Sequence, residues 1–203
     1  QALLDVKVNA TPQVTKSNGG VMSAELGRTA CAQMILSGTA AGVIGASYVS
    51  KLSGYPNTMS LDIGGTSADV AFIRDEQPQF GVGEVIGEFP IFIPSVAVTS
   101  IGAGGGSIAW VDELGILRVG PESAGSKPGP ACYGNGGECA TITDAFVVLG
   151  YIGQFDLGYS AIEIDASKAR SAVNVLAKKI AKSTEETAQA IVDIAVSGMY
   201  MEI

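Results

Sequence analysis

Residues 60–72 read SLDIGGTSADVAF. An apolar run ends on Asp62, breaks at Gly64-Gly65, passes Thr66-Ser67 and resumes as alternating apolar residues. The flanks, 58–63 and 68–73, are rich in β-branched and apolar side chains and predict two strands joined by a tight turn. The same string also suits a nucleotide phosphate. Glycines have no Cβ, so their backbone N–H groups can close on anionic oxygens and form an anion-binding concavity. Thr66 and Ser67 add hydroxyl donors, and Asp62 offers a carboxylate to Mg²⁺, which keeps several waters and takes few protein ligands. A plain hairpin turn accounts for the string as well, so its surroundings must decide.

Upstream, SGTAAGVIGASYVSKLSG (37–54) predicts a helix with Ala40, Val43, Ile44, Ser47 and Tyr48 near one face. Its small residues allow close approach to a neighbouring backbone. Before it, residues 1–20 read as extended chain ending at a turn-forming Asn-Gly-Gly, and SAELGRTACAQMIL has mixed helical character. Downstream, strands are predicted at 79–86, 97–101, 107–111 and 116–119, with Glu113-Leu114-Gly115 as a turn. The run Gly102-Ala103-Gly104-Gly105-Gly106 sits between two strand-like segments, a place better suited to a site loop than to a flexible linker. PESAGSKPGPACYGNGGECATIT (121–143) is a long Gly/Pro-rich segment, of a kind that is usually functional or disordered. Thr143 is expected to cap a short helix to Leu149 and Asp165 a second over 166–182. Ser183-Thr184-Glu185-Glu186 forms a capping-box pattern for a third, in which Ala188, Ile191, Val192, Ala195 and Met199 recur at helical spacing.

Composition narrows the chemistry. The 203 residues suffice for one good-sized domain or two small lobes, with 27 glycines and a core of Ala, Val, Ile and Leu. A net charge of −8 with 12 Lys plus Arg argues against a nucleic-acid surface. The longest apolar stretches are interrupted by Ser, Gly or Pro and fall short of a membrane span. No secretory pattern opens the chain, so a cytoplasmic location is expected. The chain begins at Gln1 and stops within a helical pattern, which reads as a fragment. There is no histidine, which excludes a Cys/His zinc site, a Ser-His-Asp triad and a histidine base. Cys31, Cys132 and Cys139 lack zinc spacing and read as reduced thiols. Carboxylates, Lys, hydroxyls, amides, Cys or a bound metal remain.

A small-residue helix, a strand, Gly-Gly-Thr, a second strand and a later glycine cluster resemble the second lobe of the actin and heat-shock chaperone ATPase superfamily. The implied fold is α/β: an actin-like (RNase H-like) ATPase lobe, a mixed sheet flanked by helices with a Gly/Pro-rich insertion. On that division 37–119 is a phosphate-binding sheet core, 120–150 a family-specific segment and 165–203 a helical part. A closer resemblance is carried by SNGGVMS, LSGTAAGVIGA, MSLDIGGTSADVA, SIGAGGGSIAWVD, VGPESAGSKPGPACYG and TITDAFVVLGYI, in that order. This series is similar to the hydantoinase A and 5-oxoprolinase family, with ATP-dependent cyclic-amide hydrolases and the nucleotide-handling subunits of acetone-type carboxylases among its members.

The resemblance implies ATP and Mg²⁺ as cofactors and phosphorylation of a substrate oxygen. Charge neutralisation and alignment then do most of the work. Carried over, Gly64, Gly65, Thr66 and Ser67 would bind phosphate, Asp62 would hold the metal and serve catalysis, and Gly102, Gly104, Gly105 and Gly106 would line the nucleotide cleft. PGPACYG (128–134) and Asp144, as a second catalytic candidate, would face the substrate. Asp144 equally fits simple support of a helix N-terminus, and Cys132 fits either a buried small hydrophobe or a reactive thiol. Two positions depart from the family: Thr39 stands where Pro is usual and Ala68 where Thr is common. A leading phosphate loop and an adenosine-contacting segment are absent, so the chain alone is expected to bind ATP weakly and turn nothing over. The implied partners are a cyclic amide or ketone and a second subunit or domain of hydantoinase B type. Alternatives are an acetone-type carboxylase subunit, a sugar-kinase-like or chaperone-like ATPase lobe, and a non-catalytic assembly domain.

Overall fold

The structure, a computed structural model, describes residues 5, 7, 10–81, 84–86, 88–153 and 164–203. The chain is mixed α/β and divides into two units, residues 1–62 with 69–99, and 63–68 with 100–203.

In the first unit β1 (Gln13–Thr15) and β2 (Val21–Ser23) form an antiparallel hairpin, with Gly19 at φ +77° in its turn. The Ser23 hydroxyl accepts from the Leu26 amide and caps the single turn α1 (Ala24–Gly27). Next comes α2 (Ser37–Ser53), which stops where Gly54 turns left-handed at φ +73° and donates its N–H to Lys51. The helix has the expected length but a different buried face. Ala40, Val43, Ser47 and Ser50 are buried, while Tyr48 is 64% exposed and Ile44 lies at the margin. Side chains no larger than Val let α2 press on the sheet, where a tyrosine would hold it off. Ala40 and Val43 accordingly pack on Ala71, Ile73 and Val96.

Strands β3 (Thr58–Ile63) and β4 (Ala68–Arg74) are neighbours in one sheet. β5 (Gln77–Pro78) folds back antiparallel on β4 through Asp75 and Glu76, both at positive φ. Thr39, the departure from the family pattern, donates its hydroxyl to Asp69 at 3.1 Å and so ties α2 to β4. The continuous strand expected at 79–86 is instead broken into β6 (Phe80–Gly81) and β7 (Glu84–Ile86), which pair with β9 (Ser95–Val96) and β8 (Phe89–Ile91) respectively. Positions 82 and 83 of that stretch lie outside the described residues. β10 (Thr99–Ile101) is correspondingly shorter than the strand expected at 97–101.

The second unit opens on the hairpin β11 (Ser107–Val111) and β12 (Leu117–Ser123), paired antiparallel with an irregularity between Ser107 and Ala109. Its turn is held by Asp112, whose carboxylate accepts the amides of Leu114 and Ile116 and the Arg118 guanidinium. The Ile116 hydrogen bond leads in holding that carboxyl below its ordinary range. β12 runs to Ser123, so the Gly/Pro-rich segment begins inside the sheet.

Three helices follow: α3 (Ile142–Val148), α4 (Ala166–Lys179) and α5 (Thr184–Glu202). Asp165 caps α4, and Ser183 with Glu186 forms the expected capping box on α5. The cap of α3 is a correction: it is Thr141, in a box with Asp144, and not Thr143. Thr-Ile-Thr-Asp carries the capping-box spacing with aspartate in place of the usual Glu or Gln. Ile142, Ala145, Val173, Leu176, Ala188 and Ile191 interlock in the core of this unit. Fully burying a side chain of the Val173 or Ile191 class stabilises by roughly 1.5–3 kcal/mol. Among the described residues no helix is long and apolar enough to cross a membrane.

Candidate functional site

The turn after β3 closes on itself, the Gly64 amide donating to the Ser67 carbonyl at 2.8 Å. The glycine run before β11 then engages it backbone to backbone. Gly105 N–H donates to the Gly64 carbonyl at 2.9 Å and Gly106 N–H to the Gly65 carbonyl at 2.6 Å. A Cβ on Gly104 would lie 2.7 Å from backbone atoms of Gly65, Thr66 and Ser67, and one on Gly106 would lie 2.8 Å from the Gly65 oxygen. Close approach, not conformational freedom, therefore demands glycine at these two places. The Gly104 amide is taken up by the Ser107 hydroxyl, and the Gly105 carbonyl accepts both the amide and the hydroxyl of Thr143, each at 2.8 Å.

This pairing orients the amides opposite. In a trans peptide the C=O and N–H of one unit point in opposite directions. With the Gly64 and Gly65 carbonyls drawn towards Gly105 and Gly106, the amides of Gly65 and Thr66 turn the other way. Neither meets a protein acceptor among the described residues.

Gly64, Gly65, Thr66, Gly105 and Gly106 form one side of a cavity of about 740 Å³. Gly125, Ser126, Pro130 and Tyr133 from the Gly/Pro-rich segment, with Thr143, Phe146 and Ile152 from α3 and just beyond, form the rest together with Ile63. No lining residue is charged.

Asp144 is fully buried and is not among the lining residues. Its Oδ2 accepts from the amides of Ala131 (3.2 Å) and Thr141 (2.9 Å) and from the Thr141 hydroxyl (2.8 Å), and its Oδ1 from the Cys132 amide (2.8 Å). The carboxylate thus pins the 128–134 loop to the start of α3. Cys132 is wholly buried beside Val147, Ile164 and Ala169. Burial, and then the Asp144 charge, push its thiol well above the ordinary cysteine range, which fits the small-hydrophobe reading. Tyr133 is half-buried, and its hydroxyl is shifted upward mainly by burial. Gly129, at φ +79°, lies under its ring: a Cβ there would meet Tyr133 Cδ2 at 3.2 Å.

The structure thus brings Gly64, Gly65, Thr66, Gly105 and Gly106 together at one cavity. Ser67 contributes its carbonyl to the turn, Gly104 packs behind it, and Gly102 is exposed with open space around it. Asp62 is exposed and is the last residue of its run in the first unit. Among the described residues no three Asp, Glu, Cys or His side chains cluster as a metal cage. Sequence reading singled out neither Tyr133 nor Phe146, and assigned Thr143 only to a cap. The signal available was the PGPACYG block, whose aromatic residue sits among glycines and prolines.

Comparison with known proteins first fixes the class of fold. The chain superposes on the nucleotide-free structure of acetone carboxylase, an enzyme of ATP-dependent acetone carboxylation, with a TM-score of 0.84 and 31% identity, covering 97% of this chain and 28% of that one. In sequence it is 35% identical over 180 residues to the caprolactamase subunit alpha of Pseudomonas jessenii, covering 88% of this chain and 26% of that protein. It is also 39% identical over 140 residues to 5-oxoprolinase 1 of Arabidopsis thaliana, covering 68% and 10%. The hydantoinase/oxoprolinase profile matches residues 1–203, and the chain belongs to that family. It spans less than a third of each of these relatives.

Proposed function

We propose that this chain is the nucleotide-binding lobe, actin-like in architecture, of an ATP-dependent cyclic-amide hydrolase. The terminal phosphates of ATP lie against the Gly64–Thr66 turn. The carbonyl oxygen of a lactam would attack the γ-phosphorus as the bond to ADP breaks, which leaves phosphate on that oxygen and opens the carbonyl carbon to water. Ring opening follows with release of phosphate. One observation carries this reading: with the Gly64 and Gly65 carbonyls engaged by Gly105 and Gly106, two consecutive amides, Gly65 and Thr66, keep no protein acceptor among the described residues, and both residues line a cavity. Consecutive free amides make an anion site without any charged side chain.

A lining without charge leaves polyphosphate unneutralised, which a magnesium ion supplies when bound. Mg²⁺ takes one or two carboxylates and fills its shell with water and phosphate oxygens. Asp62, an exposed carboxylate next in sequence to the lining residue Ile63, fits that donor set. A partner of hydantoinase B type completes the enzyme, in keeping with a relative named as a subunit. The family match over the whole chain supports this reading over the sugar-kinase-like and chaperone-like alternatives. The likeness to acetone carboxylase favours one second reading, activation of a ketone or bicarbonate oxygen at the same cavity.

The test is phosphate release by the full-length protein with its partner, scanned over cyclic amides and ketones. ATP hydrolysis coupled to a lactam is expected. Asp62→Ala should lower it about a hundredfold; undiminished release in that variant would remove the metal role.

A further inference from the structure

We propose that Thr143 is a positioning residue for phosphoryl transfer: by clamping the Gly105 carbonyl it sets the direction of the Gly106 N–H, of the Gly65 carbonyl and so of the Thr66 amide. The inference rests on the cavity being the phosphoryl-transfer site proposed above.

The connection runs through two peptide units. The Gly105 carbonyl accepts the N–H and the hydroxyl of Thr143, each at 2.8 Å, which engages both of its lone pairs. The Gly106 N–H belongs to the same trans unit and points the opposite way, where it donates to the Gly65 carbonyl at 2.6 Å. That carbonyl in turn shares a trans unit with the Thr66 N–H, which is therefore directed away from Gly106. The Ser123 hydroxyl also approaches the Gly65 oxygen, but at 3.5 Å, beyond the usual range for a hydroxyl donor. Gly106 is left as the contact that holds it.

Glycine makes a clamp necessary. A Cβ on Gly106 would lie 2.8 Å from the Gly65 oxygen, and one on Gly105 would lie 2.7 Å from Thr143 Oγ1, so neither place admits a side chain. A peptide between two glycines meets little steric resistance to turning over. Turned over, it would set the Gly105 carbonyl against the Gly65 carbonyl and release the turn. The two Thr143 donors oppose that rotation. Thr143 is itself fixed as the second residue of α3, whose first turn is locked by the Thr141–Asp144 box, and at 8% exposure it leaves water little access.

Thr143 also lines the cavity, yet its one hydroxyl hydrogen is engaged by Gly105 and is not available to a ligand. Its effect on a phosphate is thus exerted through the backbone. Donors stabilise developing charge best when they are held in place beforehand, and Thr143 supplies that restraint from outside both glycine loops.

The experiment uses the full-length protein with its partner subunit, with ATP and ε-caprolactam as the probes. Thr143→Val keeps the branched shape and the backbone amide but removes the hydroxyl, and should lower kcat for phosphate release about tenfold. Thr143→Ser returns the hydroxyl and should recover most of the wild-type rate. Amide hydrogen exchange in the absence of ATP reads the connection itself. The Gly106 amide should exchange about tenfold faster in Thr143→Val than in the wild type or Thr143→Ser, with the Ala145 and Leu149 amides of α3 unchanged. A merely structural role would speed exchange along α3 and leave kcat of the folded protein intact. Unchanged exchange at Gly106 overturns the connection, and faster exchange there with kcat unaltered overturns its role in transfer. A fall in kcat that serine does not restore overturns the part given to the hydroxyl. A wild type with no lactam-dependent phosphate release overturns the hydrolase reading, whereas normal wild-type release with either variant result just named overturns this inference alone.

Discussion

The Gly64–Thr66 turn and the 128–134 loop line the same cavity, and both are rich in glycine, yet their backbones are committed differently. In the turn, carbonyls are engaged and two amides are left open. In the loop, the amides of Ala131 and Cys132 are consumed by Asp144. Only the first can offer N–H groups to an anion; the second can offer only side chains. Glycine content alone does not make a phosphate site. What matters is which half of each peptide the surrounding chain has already engaged.

Four variants test that contrast. The largest effect is expected from Gly104→Val, because even a Cβ there collides with three backbone atoms of the turn. The two loops must part, with a loss of about 4–5 kcal/mol and fast hydrogen exchange at the Gly105 and Gly106 amides. Protection retained at both amides would mean that the glycine run does not hold the turn. Next, Asp144→Ala strips the loop of its anchor and leaves buried amides unpaired. Chemical denaturation should show a loss of about 3–5 kcal/mol; a change below about 1 kcal/mol would return Asp144 to the list of catalytic candidates.

Gly65→Ala comes third and separates the two loops most cleanly. Its Cβ meets nothing within 4 Å, so stability should stay within about 0.5 kcal/mol. On the proposed function the methyl group would stand where phosphate approaches, and ATP affinity of the full-length protein, by titration calorimetry, should fall about tenfold or more. Full affinity would contradict the open-amide reading. The smallest effect is Ser183→Ala, remote from the cavity. Losing the α5 cap should cost about 1 kcal/mol and leave ATP affinity untouched, which marks what a purely structural change looks like.

Much of the fold was legible in local pattern. The extent of α2, both strands around Gly64-Gly65, β11, and the caps at Asp165 and Ser183 follow from periodicity and capping chemistry that act over a few residues. The strand expected at 79–86 was not, because its two halves take different partners, and partner choice is not written in alternation. The helical face holding Tyr48 was misjudged for a related reason. Periodicity places residues on a face, whereas the width of the gap to the sheet decides which of them fit beneath it.

The site divides in the same way. Sequence singled out Gly64, Gly65, Thr66, Gly105 and Gly106, and the structure gathers them at one cavity. It could not separate Asp144 as a buried anchor from Asp144 as a catalyst, since both readings place an acid beside a helix start. Nor could it pick out Tyr133, which lines the cavity with Thr143, ten residues on, itself held by a carbonyl 38 residues earlier in the chain.

By itself, then, the sequence determined the turns, the caps, the close-packed glycines and the family, because each of these is set by steric and hydrogen-bonding rules that neighbouring residues impose on one another. Tertiary structure alone decided which amides stay open, which carboxylate is buried and which residues meet at the cavity. A hydrogen bond has two ends, and here the second end is supplied by residues far along the chain.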